Sequence, residues 1–173
     1  MDVTIHAVAE RHVDGLHRAF DIVAKEKKYL GSLAAPPMEL ISENVRRNID
    51  YQNPQLVASN SGEVVGWCEI IRLKKPLFRH VGILEIGLLP HWRGKGIGRS
   101  LVEAAINAAF DRGFARIELT VFASNQHAAD FYKKIGFSRE GELVDAVCVD
   151  GAFSNSILMG LTNRHAKTVK HGC

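Results

Sequence analysis

The segment Leu88-Leu89-Pro90-His91-Trp92-Arg93-Gly94-Lys95-Gly96-Ile97-Gly98-Arg99-Ser100 constrains this chain more than any other. An apolar run over 81–89 reads as a strand and stops at Pro90, which cannot donate to a sheet ladder. Glycines follow at every second position. A helix then spans about 98–112, with Ile97, Leu101, Val102, Ala105, Ile106 and Ala109 on one stripe. Gly113 supplies its C-terminal stop. A strand, a glycine-rich turn and a long helix in this order aim several backbone N–H groups and the positive end of a helix at one point. Such a point binds phosphate. Glycines let the backbone approach the anion, and Arg93, Lys95 and Arg99 add positive charge around it. Neither common nucleotide motif is present. Lys95 is followed by Gly96 where a P-loop needs Ser or Thr. The spacing Gly94-x-Gly96-x-Gly98 lacks the third glycine of the dinucleotide fingerprint, with Leu101 in its place.

The remaining elements follow from period and punctuation. A first strand is expected over 3–8, then a helix carrying Val13, Leu16, Phe20 and Val23 on one face. The stretch 25–37 reads as helix end and loop, closed by Pro36-Pro37, and a second helix is expected over 38–50. Strands at 55–59 and 64–73 flank the hairpin turn Asn60-Ser61-Gly62-Glu63. After the long helix, 115–122 reads as a strand buried on both faces, because it is β-branched, aromatic and nearly continuous in apolar character. A short helix over 125–135 ends at Gly136, and strands at 137–143 and 156–161 close the unit. The order β-α-α-β-β-β-α-β-α-β-β gives an α+β domain over 1–162, followed by a polar tail, 163–173.

Arg93-x-x-Gly96-x-Gly98, set between a strand and an amphipathic helix, resembles the pyrophosphate-binding pattern of the GCN5-related N-acetyltransferase (GNAT) superfamily. A second segment strengthens the likeness. Asn125, Ala128, Tyr132, Gly136 and Phe137 match the family's other signature, which continues to Gly141. The resemblance spans roughly 64–161. It implies the GNAT fold: a mixed central β-sheet with a splayed fourth strand and helices on both faces.

The resemblance also implies roles. Acetyl-coenzyme A is the expected cosubstrate, with its pyrophosphate on the turn formed by Arg93, Gly94, Lys95, Gly96, Ile97, Gly98, Arg99 and Ser100. The backbone of Ile86, Gly87 and Leu88 would run alongside the pantetheine arm, and an N–H there would stabilise the developing oxyanion. Gly87 inside a strand fits a bulge or a close ligand approach. Asn125 would hold the arm. Tyr132 would sit by the thioester sulfur and protonate the departing thiolate, whose basicity is close to that of a phenol. Glu85 is the candidate general base, on a strand whose side chains reach the splay, although a water chain could serve instead. Glu26, Tyr29 and the turn 145–150 fall where the family builds its amine site, and Glu26 would pair with a cationic amine. The implied function is transfer of acetyl to a primary amine of a small molecule, such as an amino acid or polyamine. A protein N-terminus or lysine is the alternative acceptor, and a non-catalytic acyl-CoA-binding module is the other reading. Dimerisation would accord with the family.

Composition excludes other classes. A net charge of +3 with dispersed Lys and Arg argues against nucleic acid. No apolar run approaches the roughly 20 residues of a membrane helix, and Met1–Ile5 shows no basic then apolar leader, so a cytoplasmic protein is expected. The cysteines, Cys68, Cys148 and Cys173, are odd in number and widely spaced, which suggests neither a disulfide framework nor a metal site. Cys68 and Cys148 read as small core residues.

Overall fold

A computed structural model describes residues 2–163. Seven strands form one mixed sheet in the order β1-β2-β3-β4-β5-β7-β6. Strand β1 (Val3–Ala7) leads through a short 3-10 turn into α1 (Val13–Ala24), and α2 (Met38–Asp50) follows the proline-closed loop. Strands β2 (Gln55–Asn60), β3 (Glu63–Arg72) and β4 (Val81–Leu88) make an antiparallel meander. The β2–β3 turn carries Ser61 at φ 47° and Gly62 at φ 83°. Two consecutive positive φ values are those of the hairpin turn whose twist suits the flanking strands. Helix α3 (Ile97–Asp111), β5 (Arg116–Phe122) and α4 (Gln126–Ile135) come next, and β6 (Ser138–Val149) and β7 (Ala152–Thr162) form a final hairpin.

Alternation along the strands separates two cores. On one face, Cys68, Ile70 and Leu84 pack against Leu101, Val102, Ala105 and Ala109 of α3, joined by Tyr132 of α4 and Phe137. On the other, Val57, Val64 and Trp67 pack under Leu16, Val23 and Val45 of α1 and α2. Each fully buried aliphatic side chain here contributes roughly 1.5–3 kcal/mol. Phe20 stacks on the buried Trp67 at 5.4 Å and 28°, a geometry that adds to their area burial.

Three expectations change. Strand β5 is not buried on both faces: Ile117, Leu119 and Val121 are buried, whereas Arg116, Glu118 and Thr120 are not. The polar residues of R-I-E-L-T-V-F occupy every second position, which marks a sheet with one wet face. The final hairpin is longer than expected, so residues 145–149 belong to β6 and the turn lies at Asp150-Gly151, both at positive φ. Cys148 is exposed on that hairpin, and among the described residues only Cys68 is a core thiol. Cys173 and the tail beyond Asn163 lie outside the described residues. Among the described residues no helix is long and apolar enough to cross a membrane.

Candidate active site

The site begins where β4 and β5 part. They pair in parallel at Val81–Ile83 against Arg116–Glu118, and no further ladder joins them beyond Ile83. Past that point the strands diverge around a groove of about 630 Å³. Ile86, Gly87 and Leu88 form one wall, Thr120–Phe122 the other, and Asn125, Phe131 and Tyr132 of the α4 segment a third side. Gly94, Gly96, Gly98 and Arg99 close the end at the start of α3.

That end is built for an anion. Gly94 and Gly96 adopt φ of 72° and 82°, and a Cβ at either would meet nothing within 4 Å. Glycine is needed there for backbone conformation, and the space in front of the turn is open. The first helical bond of α3 runs from the Ser100 N–H to the Gly96 carbonyl. The N–H groups of Ile97, Gly98 and Arg99 therefore precede the hydrogen-bonded ladder and sit at the positive end of the helix. A glycine at 98 has a different reason: a Cβ would lie 3.0 Å from Leu88 Cδ1. The turn thus fits a pyrophosphate, and the groove beyond it fits an extended arm.

The other end carries the titratable groups. Tyr132 is 7% exposed, edge-on to Phe131 and Phe137. Burial first, and then the electrostatics of the neighbouring Cys68 and Glu85, push its phenol well above the usual value. It stays a neutral donor across the physiological range. Glu85 lies on β4, and burial followed by the charge of Glu69 pushes its carboxyl up to about 7. Its alternation with Leu84 and Ile86 places it on the α1/α2 face, across the sheet from α3.

A model of the acetyltransferase (GNAT) family matches residues 20–137. The chain belongs to this family. Its relatives include the L-amino acid N-acetyltransferase AaaT of Escherichia coli K12, 38% identical over 50% of this chain and 54% of that protein. The spermidine N(1)-acetyltransferase of the same organism is 30% identical over 64% of this chain and 59% of its own. The matched region therefore spans little more than half the length of these curated relatives. Among solved structures, yncA of Salmonella typhimurium, determined with its cofactor acetyl-CoA, superposes with a TM-score of 0.88 over 94% of each chain at 16% identity. The GNAT fold expected from the sequence is the fold observed.

In this GNAT domain the glycine turn, Ile86–Leu88, Arg93, Arg99, Asn125, Tyr29 and Tyr132 all border the groove. Lys95, Ile97, Ser100, Glu26 and Glu85 do not line it. Several side chains have partners that the sequence did not show. Both terminal nitrogens of Arg93 donate to Glu26, its Nε donates to the Leu88 carbonyl at 2.9 Å, and Tyr29 lies 4.5 Å under the guanidinium. Arg93 therefore staples the α1–α2 linker to the end of β4, and Glu26 meets Arg93 across the linker. Arg99 pairs with Glu103 one turn on, and Lys95 Nζ stands 5.2 Å over the Trp92 ring. The Asn125 side chain caps α4 by accepting from the Ala128 N–H at 3.2 Å. Gly87 makes no bulge. Its close approach is to Trp67, since a Cβ at 87 would sit 2.1 Å from that ring.

Sequence reasoning missed the wall Thr120–Phe122 and the buried Glu69. The alternation of β5 carried a signal for the first. The acid inside Val64-Val65-Gly66-Trp67-Cys68-Glu69-Ile70-Ile71 carried one for the second. Among the described residues no cluster of His, Cys, Asp and Glu is arranged to hold a metal.

Proposed function

We propose that the protein is an acetyl-CoA-dependent N-acetyltransferase that acetylates a primary amine of a small molecule, by direct attack with both substrates bound. The observation that carries this reading is the continuity of one groove from the Gly94–Gly98 turn, along the unpaired edge of β4, to Tyr132. Acetyl-CoA supplies the activated thioester. The N–H groups at the start of α3 hold its pyrophosphate, and Arg99 adds charge at the rim. The unpaired backbone of Ile86–Leu88 aligns the pantetheine arm as an added strand would be aligned, with Asn125 opposite. Glu85 takes a proton from the acceptor nitrogen, and a carboxyl near 7 suits that task at neutral pH. Tyr132 gives its proton to the thiolate as the thioester bond breaks. Its phenol is a weak acid here, but the same dry surroundings raise the basicity of the thiolate that receives the proton.

A small acceptor is favoured over a polypeptide by a tie between the α1–α2 linker and the final hairpin. Lys27 of the α1–α2 linker bonds Asp150 at the tip of the final hairpin at 2.6 Å. That pair bridges the two segments between which an acceptor would enter, and Tyr29 and the Glu26–Arg93 pair brace the linker from below. Similarity to enzymes named for L-amino acids and spermidine supports the same class.

The test is incubation with acetyl-CoA and a panel of amino acids, polyamines, aminoglycosides and short peptides, with products read by mass spectrometry. An acetylated small amine, slowed by Tyr132→Phe, is expected. Acetylation confined to peptides overturns the acceptor class. Tight acetyl-CoA binding with no product from any amine overturns catalysis.

A further inference from the structure

Strand β3 places an acid in the middle of its buried run. Glu69 is 7% exposed and stands directly opposite Glu85 in the antiparallel register of β3 and β4. Side chains opposite one another in such a pair have Cβ atoms roughly 4.5–5.5 Å apart, and like charges there repel. The chain nevertheless invests a polar network in Glu69. Its Oε2 accepts from Asn48 Nδ2 at 2.9 Å and Asn44 Nδ2 at 3.1 Å, both from α2. Asn48, 1% exposed, is itself fixed by Gln55 and Asn53. Arg47 donates to Asn44 and brings a positive charge to the same side. Groups that only donate to one carboxyl oxygen favour its anion.

We propose that Glu69 is a positioning residue for acetyl transfer: it forms with Glu85 a carboxylate pair that shares one proton, in which Glu69 is the anchored anion and Glu85 the partner that exchanges a proton with the acceptor amine. The proposal rests on Glu85 being the base. The proton leaves the acceptor nitrogen for a Glu85 oxygen as the nitrogen lone pair forms the bond to the acetyl carbon. The negative charge of Glu69 raises the proton affinity of Glu85 and so strengthens it as a base. Burial pushes both carboxyls upward, and two acids so close release their protons in separate steps that belong to the pair. The groups facing Glu85 are few. From β3 the group on its own face is Glu69, whereas the Cys68 thiol and the Tyr132 phenol of α4 belong to the core across the sheet and interact with it electrostatically. Glu118 of β5 pairs one step upstream, opposite Ile83, and is bonded to Arg116. Helix α1 presents apolar groups, Phe20 and Val23 among them, and of the charged residues on α2 the one that acts on Glu69 is Arg47.

The experiment is carboxyl-carbon NMR of the whole protein with ¹³C-labelled glutamate, titrated from pH 4 to 9 in wild type, Glu69→Gln and Glu85→Gln, beside the pH profile of kcat/KM with the amine that the panel above shows to be acetylated fastest. In wild type the carboxyl that disappears in Glu85→Gln titrates near 7. In Glu69→Gln that titration, and the acidic limb of the rate profile, move down by about one pH unit or more. An unmoved titration in folded Glu69→Gln overturns the pair. Should Glu69→Gln fail to fold, Asn44→Ala removes one donor from the half-buried edge of the network. It is expected to lower the Glu85 titration by shifting the shared proton toward Glu69, and an unmoved value again overturns the proposal. A Glu85→Gln enzyme that keeps the wild-type rate and acidic limb defeats the base assignment instead, and the NMR titration tells the two failures apart.

Discussion

Gly87→Ala tests whether the floor of the groove is held by packing against Trp67. An alanine Cβ at 87 would lie 2.1, 2.4 and 2.6 Å from Cη2, Cζ3 and Cζ2 of that indole. Carbon atoms rest about 3.5–4.0 Å apart, so roughly 1.4–1.9 Å of displacement must be found. The ring cannot yield easily, being 2% exposed and stacked on Phe20. The strand is the softer partner, because β4 has no ladder to β5 beyond Ile83. Overpacking of this kind costs about 1–3 kcal/mol. At about 2–4 °C per kcal/mol for a domain of this size, the melting temperature falls by roughly 2–12 °C. The displaced strand also moves into the groove, so acetyl-CoA binding weakens in a calorimetric titration. The decisive measurement is a double-mutant cycle in urea. Trp67→Phe deletes the ring atoms that clash, so Gly87→Ala should cost about 1 kcal/mol less on that background. A Gly87→Ala protein as stable as wild type, or one whose cost is the same on the wild-type and Trp67→Phe backgrounds, would refute the packing argument.

Three further outcomes follow from the same geometry. Tyr132→Phe is expected to lower kcat by about 10²–10⁴-fold while leaving the acetyl-CoA dissociation constant within about threefold, as read by steady-state kinetics and titration. Glu26→Ala removes the carboxylate that holds Arg93, a pair whose side chains are 25–30% exposed; it should cost about 1 kcal/mol in urea unfolding, with the loss shrinking at high salt. Glu85→Gln should stabilise the fold while it slows the reaction. The folded-state value of Glu85 lies above its unfolded value, so its unfavourable contribution is absent below about pH 4.5 and complete above about pH 7. The gain on substitution is therefore on the order of 1–3 kcal/mol in urea melts at pH 8 and near zero at pH 4.5.

Most of the fold was legible because its signals are local. The α2 bounds follow from Pro37 before Met38 and from Ile41, Val45 and Asn48 on the buried face. The α3 bounds follow from Gly96 and Gly113, each at a positive φ that few other residues adopt. Strand β5 was misread because a window average hides the alternation of Arg116, Glu118 and Thr120 with Ile117, Leu119 and Val121. The final hairpin was read as two short strands because Asp145 and Asp150 look like loop residues. They are exposed on an edge strand and its turn, where charge guards against pairing with another chain.

The site divides along the same line. The turn proposed for phosphate was legible because its backbone groups are adjacent in sequence, and glycine spacing reports them directly. The side-chain chemistry was not, because each relevant pair joins residues far apart in the chain. Glu26 meets Arg93 across 67 positions, and Asn44 and Asn48 meet Glu69 across 25 and 21. The charge of Glu26 calls for a cationic partner, but nothing local says that the cation is Arg93. The same is true of Glu85, whose basicity depends on a residue 16 positions earlier that becomes its neighbour only through the β3–β4 register. A carboxylate inside an apolar strand is costly unless it is bonded. Its presence in such a run is therefore a sequence signal for a buried polar network, even where the partners cannot be named until the strands are paired.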